Sequence, residues 1–275
     1  MTTAVADQAE VFAANRARSR IELTVASADG TTRRSRVLEE GPLRVRFPGP
    51  PSGALEAVVV NTAGGIAGGD RLDIDITVGE GAHLTVTTAA AEKIYRSLDP
   101  AAAIHLDLRV GANGSLLWLP QETILFDRAR LRRTIDLHLD EGATLVLAEA
   151  LVFGRAAMGE AVEQGRLFDR WRVRRNGRLV FAEALRFDEA IGASLREPAV
   201  AGGRSAVATL LMCPADAARI APVRARADRR GEVAISAWNG FAVARFVAAD
   251  GAALRYDLMA ALSALGVVLP RLWLN

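Results

Sequence analysis

The chain of 275 residues contains one cysteine, Cys213, and one lysine, Lys93. A lone thiol excludes a disulfide framework and any CxxC metal or redox motif. Histidine is almost as scarce. His83, His105 and His138 show neither HxH nor HExxH spacing, which speaks against a structural zinc site. No apolar run is long enough to cross a bilayer, and the longest, residues 258–270, contains Ser263. Residues 1–8 lack the basic stretch and apolar run of a secretion signal, so a soluble, cytoplasmic chain is expected. Neither sign of charge dominates: 34 basic and 32 acidic side chains leave a formal +2, with no general pull toward nucleic acid or anionic membrane. There is no GxSxG elbow and no Cys/His pairing, and no two carboxylates stand out as an acid–base dyad. These absences point to a binding or scaffold protein rather than an enzyme.

Apolar residues make up 51% of the chain, enough to build a core and to exclude a disordered polyampholyte. No linker or compositional break divides it, so one domain over residues 1–275 is expected, with residues 1–19 as a flexible start. Every basic residue other than Lys93 is arginine, and the arginines are scattered throughout, as codon bias produces. A lysine retained against that bias supplies a compact ammonium rather than a guanidinium fork.

The strongest pattern is strict alternation. Apolar residues occupy positions 72, 74, 76 and 78, and the same period of two returns over 104–110 and 135–139. Such a period marks strands with one buried face. Each run ends in residues that tolerate positive φ, at 79–81, 111–114 and 140–142, and each turn leads into another strand. A weaker copy turns at Asn176-Gly177. Glycines 81, 114, 142 and 177 are spaced by 33, 28 and 35 residues, an imperfect internal repeat. The expectation is a mainly β chain: an elongated stack of antiparallel hairpins, solenoid-like or a coiled sandwich. Helices are expected over 214–227, cut early by Pro222, and over 252–265, with Gly266 as C-cap. Residues 41–52, with four prolines, read as a surface loop.

Gly64, Gly65, Gly68 and Gly69 follow an apolar strand and suggest a nucleotide loop, the alternative being an enzyme with its cofactor there. The details oppose it: Asp70 and Arg71 stand where a Walker loop needs Lys-Ser/Thr, and a strand follows where a dinucleotide loop opens a helix. A tight connection with positive φ is the expected use of these glycines, with Asp70 available to cap or to bind the exposed backbone. Residues 87–97 read either as a short surface helix with a Glu92–Arg96 pair or as a docking loop. Arg155 and Glu160 read as a structural ion pair or a contact surface.

Taken in order, these segments resemble the urease accessory protein UreD (UreH) family. The carrying residues are Asn61-Thr-Ala-Gly-Gly-Ile-Ala-Gly-Gly-Asp-Arg-Leu72, Thr87-Thr88 with Lys93-Ile-Tyr95-Arg96-Ser97, and Leu119-Pro-Gln-Glu122-Thr-Ile-Leu-Phe126. Glu149, Gly154-Arg155-Ala-Ala-Met-Gly-Glu160 and Pro270-Arg-Leu-Trp273 complete the set. The resemblance implies a non-enzymatic urease maturation factor, a β-rich scaffold joining a UreF-like helical protein, a UreG-like GTPase and apo-urease. It implies no tightly bound cofactor, only nickel ion in transit through an internal passage. It places Asp70, Lys93, Tyr95, Arg96, Arg155 and Glu160 at the functional surface, with Gly64, Gly65, Gly68, Gly69 and Glu122 as structural motif residues.

A last expectation follows from stacking the three best repeats in register. Asp75, Asp107 and Asp136 then share one column, with Asp73 and His105 in the next, all opposite to the apolar residues. Such a column offers weak, exchangeable contacts to a divalent cation in transit, or else a solvated outer face.

Overall fold

An alternating strand buries its apolar face only against a second layer, and here the turns deliver that layer. The computed structural model describes residues 15–49, 55–98 and 100–274. The strands in chain order are β1 (Arg18–Ala28), β2 (Thr31–Glu40), β3 (Leu43–Arg46), β4 (Leu55–Asn61), β5 (Arg71–Val78), β6 (His83–Thr88), β7 (Glu92–Ile94), β8 (Ala102–Val110) and β9 (Ser115–Trp118). There follow β10 (Thr123–Leu125), β11 (Arg130–Leu139), β12 (Thr144–Phe153), β13 (Gly165–Arg175), β14 (Arg178–Glu189), β15 (Ala206–Cys213), β16 (Glu232–Trp238) and β17 (Phe241–Ala248). One sheet has the order β14-β13-β11-β8-β5-β1-β2, and the other β16-β17-β15-β12-β9-β6-β4-β3. The short strands β7 and β10 extend the second sheet at one side, pairing in parallel with each other and, through β10, with the end of β12.

The chain is thus mainly β, with a solenoid-like stack and a helix near its C-terminus, as expected. The expected antiparallel hairpins at 79–81, 111–114 and 140–142 are not hairpins; of the four expected turns, only Asn176-Gly177 joins two paired antiparallel strands. The strands flanking 79–82, 111–114 and 140–143 do not pair with each other. They run into opposite sheets and pair in parallel with the equivalent strands of the next coil. Two-residue turns, by contrast, do make hairpins. Asp29-Gly30, Asn176-Gly177 and Asn239-Gly240 all have positive φ at both residues, the geometry that suits the twist of an antiparallel pair. The four-residue corners also stack: Gly81 donates to the Ala112 carbonyl at 3.0 Å and Asn113 to that of Glu141 at 3.0 Å. Gly142 (φ 69°) is needed there, since a Cβ would lie 2.2 Å from Asn113 Oδ1.

Parallel pairing without slip puts like residues above one another. Ile76, Leu108 and Leu137 form one inward column, and Val78, Val110 and Leu139 the next. All are buried between the sheets with Leu84, Leu116 and Leu145 of the facing layer. Each such side chain is worth about 1.5–3 kcal/mol of burial. A second core lies on the outer face of β12, β15 and β17, under helices Ala217–Ala225 and Gly251–Ala264. β12 is therefore buried on both faces.

Four local expectations change. The first helix runs through Pro222, because Ile220 and Val223 are buried beneath it and Asp216 caps its start. A short helix, Ile191–Arg196, carried no clear periodic signal. Within the supposed loop 41–52, residues 43–46 form β3, with Leu43 and Val45 inward; residues 50–52 lie outside the described residues. Of the supposed flexible start, Arg18 and Ser19 belong to β1, and residues 1–14 lie outside the described residues.

Leu108→Ala should cost about 2–5 kcal/mol, because both ladder neighbours hold their places and the cavity cannot collapse. Denaturant unfolding of the purified variant measures this, and a loss well under 1 kcal/mol would contradict the interior column.

Candidate functional site

The separated motif segments meet at one corner of the stack, beside the short ladder β7–β10–β12. Tyr95 stands edge-on to Phe126 with ring centroids 5.2 Å apart, and the Arg155 guanidinium lies 4.0 Å over the Phe126 ring. Arg155 is held there by Glu160, through Nε–Oε2 at 2.6 Å and an antiparallel bridge. The Tyr95 hydroxyl donates to the Gly64 carbonyl at 3.0 Å. Arg155, Phe126, Tyr95 and the glycine turn thus form one continuous column across three coils. A Cβ on Gly65 would sit 2.5 Å from the Tyr95 ring, and one on Gly68 1.8 Å from Ser97 Oγ. The glycines are there for close approach. Gly64 and Gly69 also have positive φ, and the turn enters β5, a strand, as expected of a connection that is not a nucleotide loop.

Asp70 is buried and holds this turn together. Its Oδ2 accepts from Ala67 N and its Oδ1 from Ala17 N, both at 2.8 Å. Its contribution to any surface is therefore through the backbone. Residues 92–94 form a strand rather than a helix, so Glu92 and Arg96 are not paired. Glu92 instead accepts from Asn61 Nδ2 at 3.1 Å, and burial raises its carboxyl above the ordinary range. Glu122 pairs with Arg255 at 3.0 Å, and Arg255 donates to the Trp273 carbonyl at 2.9 Å. Trp273 in turn donates to the Leu119 carbonyl at 2.9 Å, tying the C-terminal motif to the Leu119–Phe126 segment. Lys93 and Arg96 are exposed, as are Leu98 and Met158, at 85% and 72%.

A second constellation lies inside, between the sheets, and the sequence reading missed most of it. Arg133 is 3% exposed; it donates Nε and Nη2 to the two Asp169 oxygens at 3.0 and 2.6 Å, and Nη1 to Glu149. Trp118 donates to Glu149 at 2.7 Å, and Trp171 to Asp169 at 3.2 Å. Two carboxylates share one guanidinium, so the cluster carries an excess negative charge. Burial accordingly raises the Glu149 carboxyl, although Arg133 pulls it back, while the two anions keep Arg133 protonated. A cavity of about 30 Å³ adjoins the cluster, room for a water molecule. Above it Glu183 of β14 and Arg245 of β17 pair across the two sheets, with Thr209 beside them. The signal was present in the alternation: Arg133, Glu149 and Asp169 each occupy an inward phase otherwise filled by Leu, Ile, Val or aromatic residues.

The aspartate column forms in register as expected, Asp75 beside Asp107 beside Asp136. It lies on the outer face of the seven-stranded sheet, and each carboxylate has an arginine partner: Arg20, Arg109 and Arg172 respectively. Asp136 sits below its ordinary pKa because Arg172 hydrogen-bonds it. His105 bonds Thr134 at 2.6 Å. Among the described residues no three His, Cys, Asp or Glu side chains cluster so as to hold a metal ion, and no helix is long and apolar enough to cross a membrane.

The fold is a β-solenoid-like stack in which the motif segments converge at one corner and a polar cluster lies in the interior. Residues 17–274 match the family described as UreD urease accessory protein, and the chain belongs to that family. It is 58% identical over 275 residues to a urease accessory protein UreD of Rhodopseudomonas palustris (strain HaA2), covering 99% of this chain and 98% of that one. It is 56% identical over 266 residues to the UreD of Bradyrhizobium diazoefficiens, covering 96% of each. A role in urease maturation follows from this membership, and these relatives are named as accessory proteins rather than enzymes.

Two outcomes test the site. Gly65→Val should destabilise by about 1–3 kcal/mol through collision with Tyr95 and backbone strain, read by thermal melting. Glu149→Gln tests the buried charge. A carboxyl raised in the folded state weakens the fold as pH climbs from its unfolded value of about 4.3 through its folded one. Between about pH 4 and pH 7 the wild type should therefore lose stability relative to the Gln variant. Parallel stability–pH curves would mean that Glu149 is fully compensated.

Proposed function

We propose that this chain is a non-enzymatic scaffold of the cytoplasm that joins UreF-like and UreG-like partners to apo-urease and helps to deliver nickel. The observation that carries the reading is the convergence of four distant motif segments on one corner, whose segments expose Lys93, Arg96 and Arg155 together with Leu98, next to Ser97, and Met158, between Arg155 and Glu160. Cations beside exposed apolar groups, on a frame fixed by the Arg155–Phe126–Tyr95 column, suit a protein interface. Within this reading nickel passes through the interior, by way of the anionic Arg133–Glu149–Asp169 cluster and its mouth at Glu183 and Arg245. The outer column of Asp75, Asp107 and Asp136 serves transit only if a partner draws away its arginines. No cofactor is held tightly.

Lys93→Ala with Arg155→Ala should leave the melting temperature nearly unchanged. Capture of at least one of the three partner proteins should weaken roughly tenfold, with urease activation in cells lowered in step. A folded double variant with full partner capture and full activation would remove this corner from the functional surface.

A further inference from the structure

The outer face of the seven-stranded sheet is electrically divided. Across β1, β5 and β8 each outward carboxylate is answered by a cation: Glu22 and Asp75 by Arg20, Asp73 by Arg71, Asp107 by Arg109. Across β11, β13 and β14 the balance fails. Arg132, Arg166, Arg170, Arg172, Arg174 and Arg186 share this half of the face with Asp136, Asp188 and Glu189. Asp136 takes both Arg172 and Arg174, Asp188 takes Arg186, and Glu189 takes Arg166. Arg132 has no carboxylate partner and stacks 5.2 Å over Phe168, while Arg170 adds a third positive charge beside Asp136, with no carboxylate of its own. Arg170 lies opposite Thr134 on one side and Ala184 on the other. Ala182 and Ala184 stand opposite Arg172 and Arg170, so no charged side chain of β14 faces these two arginines, which are half-buried, while Arg132 is exposed.

We propose that this half of the sheet, centred on Arg132 and Arg170, is a docking surface for an acidic face of a partner protein. It is separate from the motif corner. The surplus of guanidinium groups over carboxylates gives the attraction, and an arginine fork fits a carboxylate with two parallel bonds. The interleaved Asp136 and Asp188 favour a protein over a nucleic acid. A partner protein can set its carboxylates between them, whereas an unbroken row of phosphates would meet them head on.

The inference rests on the reading that the chain assembles with urease-maturation proteins, and the experiment separates the two. The full chain, its Arg132→Glu/Arg170→Glu variant and a milder Arg170→Gln variant are each tested for capture of a UreF-like protein, a UreG-like protein and apo-urease. A short DNA duplex serves as the polyanion arm, and thermal melting checks folding. The expected result is that the charge-reversed chain folds and loses one protein partner by at least about tenfold, while Arg170→Gln weakens the same partner less. That partner's binding to the unaltered chain should also fall by about tenfold or more between low and moderately high salt. If the unaltered chain captures the partners and the folded double variant captures all of them equally well, this inference is overturned and the scaffold reading stands. Binding of the duplex at physiological salt, abolished by the variant with protein capture intact, overturns it in favour of nucleic acid. If the unaltered chain captures none of the three proteins, the scaffold reading fails and takes this inference with it.

Discussion

In-register parallel pairing between coils is the constraint on which the molecule depends. Because β5, β8 and β11 pair without a shift, every side chain inherits a neighbour of the same phase from the coil on each side. Aliphatic columns stack into a continuous core, and corners stack on corners through Gly81–Ala112 and Asn113–Glu141 backbone bonds. The same constraint forces like charges together on the outer face, where Asp75, Asp107 and Asp136 would repel along their column. Arginines from β1, β8 and β13 relieve this, which explains why so many outward positions form ion pairs. Surface pairs of this kind contribute little to stability one by one. Their value lies in letting a column of acids exist at all.

The interior cluster meets the same rule from the other side. A buried guanidinium between two carboxylates gains little over a well-packed aliphatic core, because desolvation consumes most of the Coulombic attraction. Arg133 occupies the phase of Ile104 on the neighbouring strand and meets Asp169 on the next. The apolar column therefore turns polar where the parallel stack gives way to the antiparallel β13–β14 and β15–β17 pairs. Both indole N–H groups, from Trp118 and Trp171, are committed to the carboxylates. The site is thus built and satisfied, and its mouth is closed by an ion pair that joins the two sheets.

The sequence made the stacking legible because alternation and glycine spacing recur in the same phase, and the aspartate column was readable from that register alone. It misassigned the partners: strands expected to pair across their own turn pair in parallel with the next coil instead. Alternation reports a buried face and says nothing about which strand donates the hydrogen bonds. The distinguishing sign was turn length: Asn-Gly and Asp-Gly pairs close hairpins, whereas four-residue turns cross to the opposite sheet. At the site, the motif residues were identifiable one by one, but their union was not. Tyr95, Phe126 and Arg155 are far apart in sequence and meet only through the pitch of successive coils. The resemblance placed Asp70 at the functional surface, while its position after the glycines suited either capping or binding of backbone. Its two 2.8 Å bonds to backbone amides make it a cap.

At each end of the seven-stranded sheet the last strand, β2 or β14, is reversed, and the pair it forms carries a register irregularity, near Thr24/Val25 in one and Val173/Arg174 in the other. Nearly every side chain of β2 faces water, Arg33, Arg34 and Arg36 among them. A stack of identical coils is a template for its own extension, and its open edge would accept a strand from another molecule as readily as the next coil. A reversed, kinked and charged final strand offers neither the direction nor the flatness for that addition. The fold can therefore use the geometry of a fibre for rigidity while these ends act as stops against polymer growth.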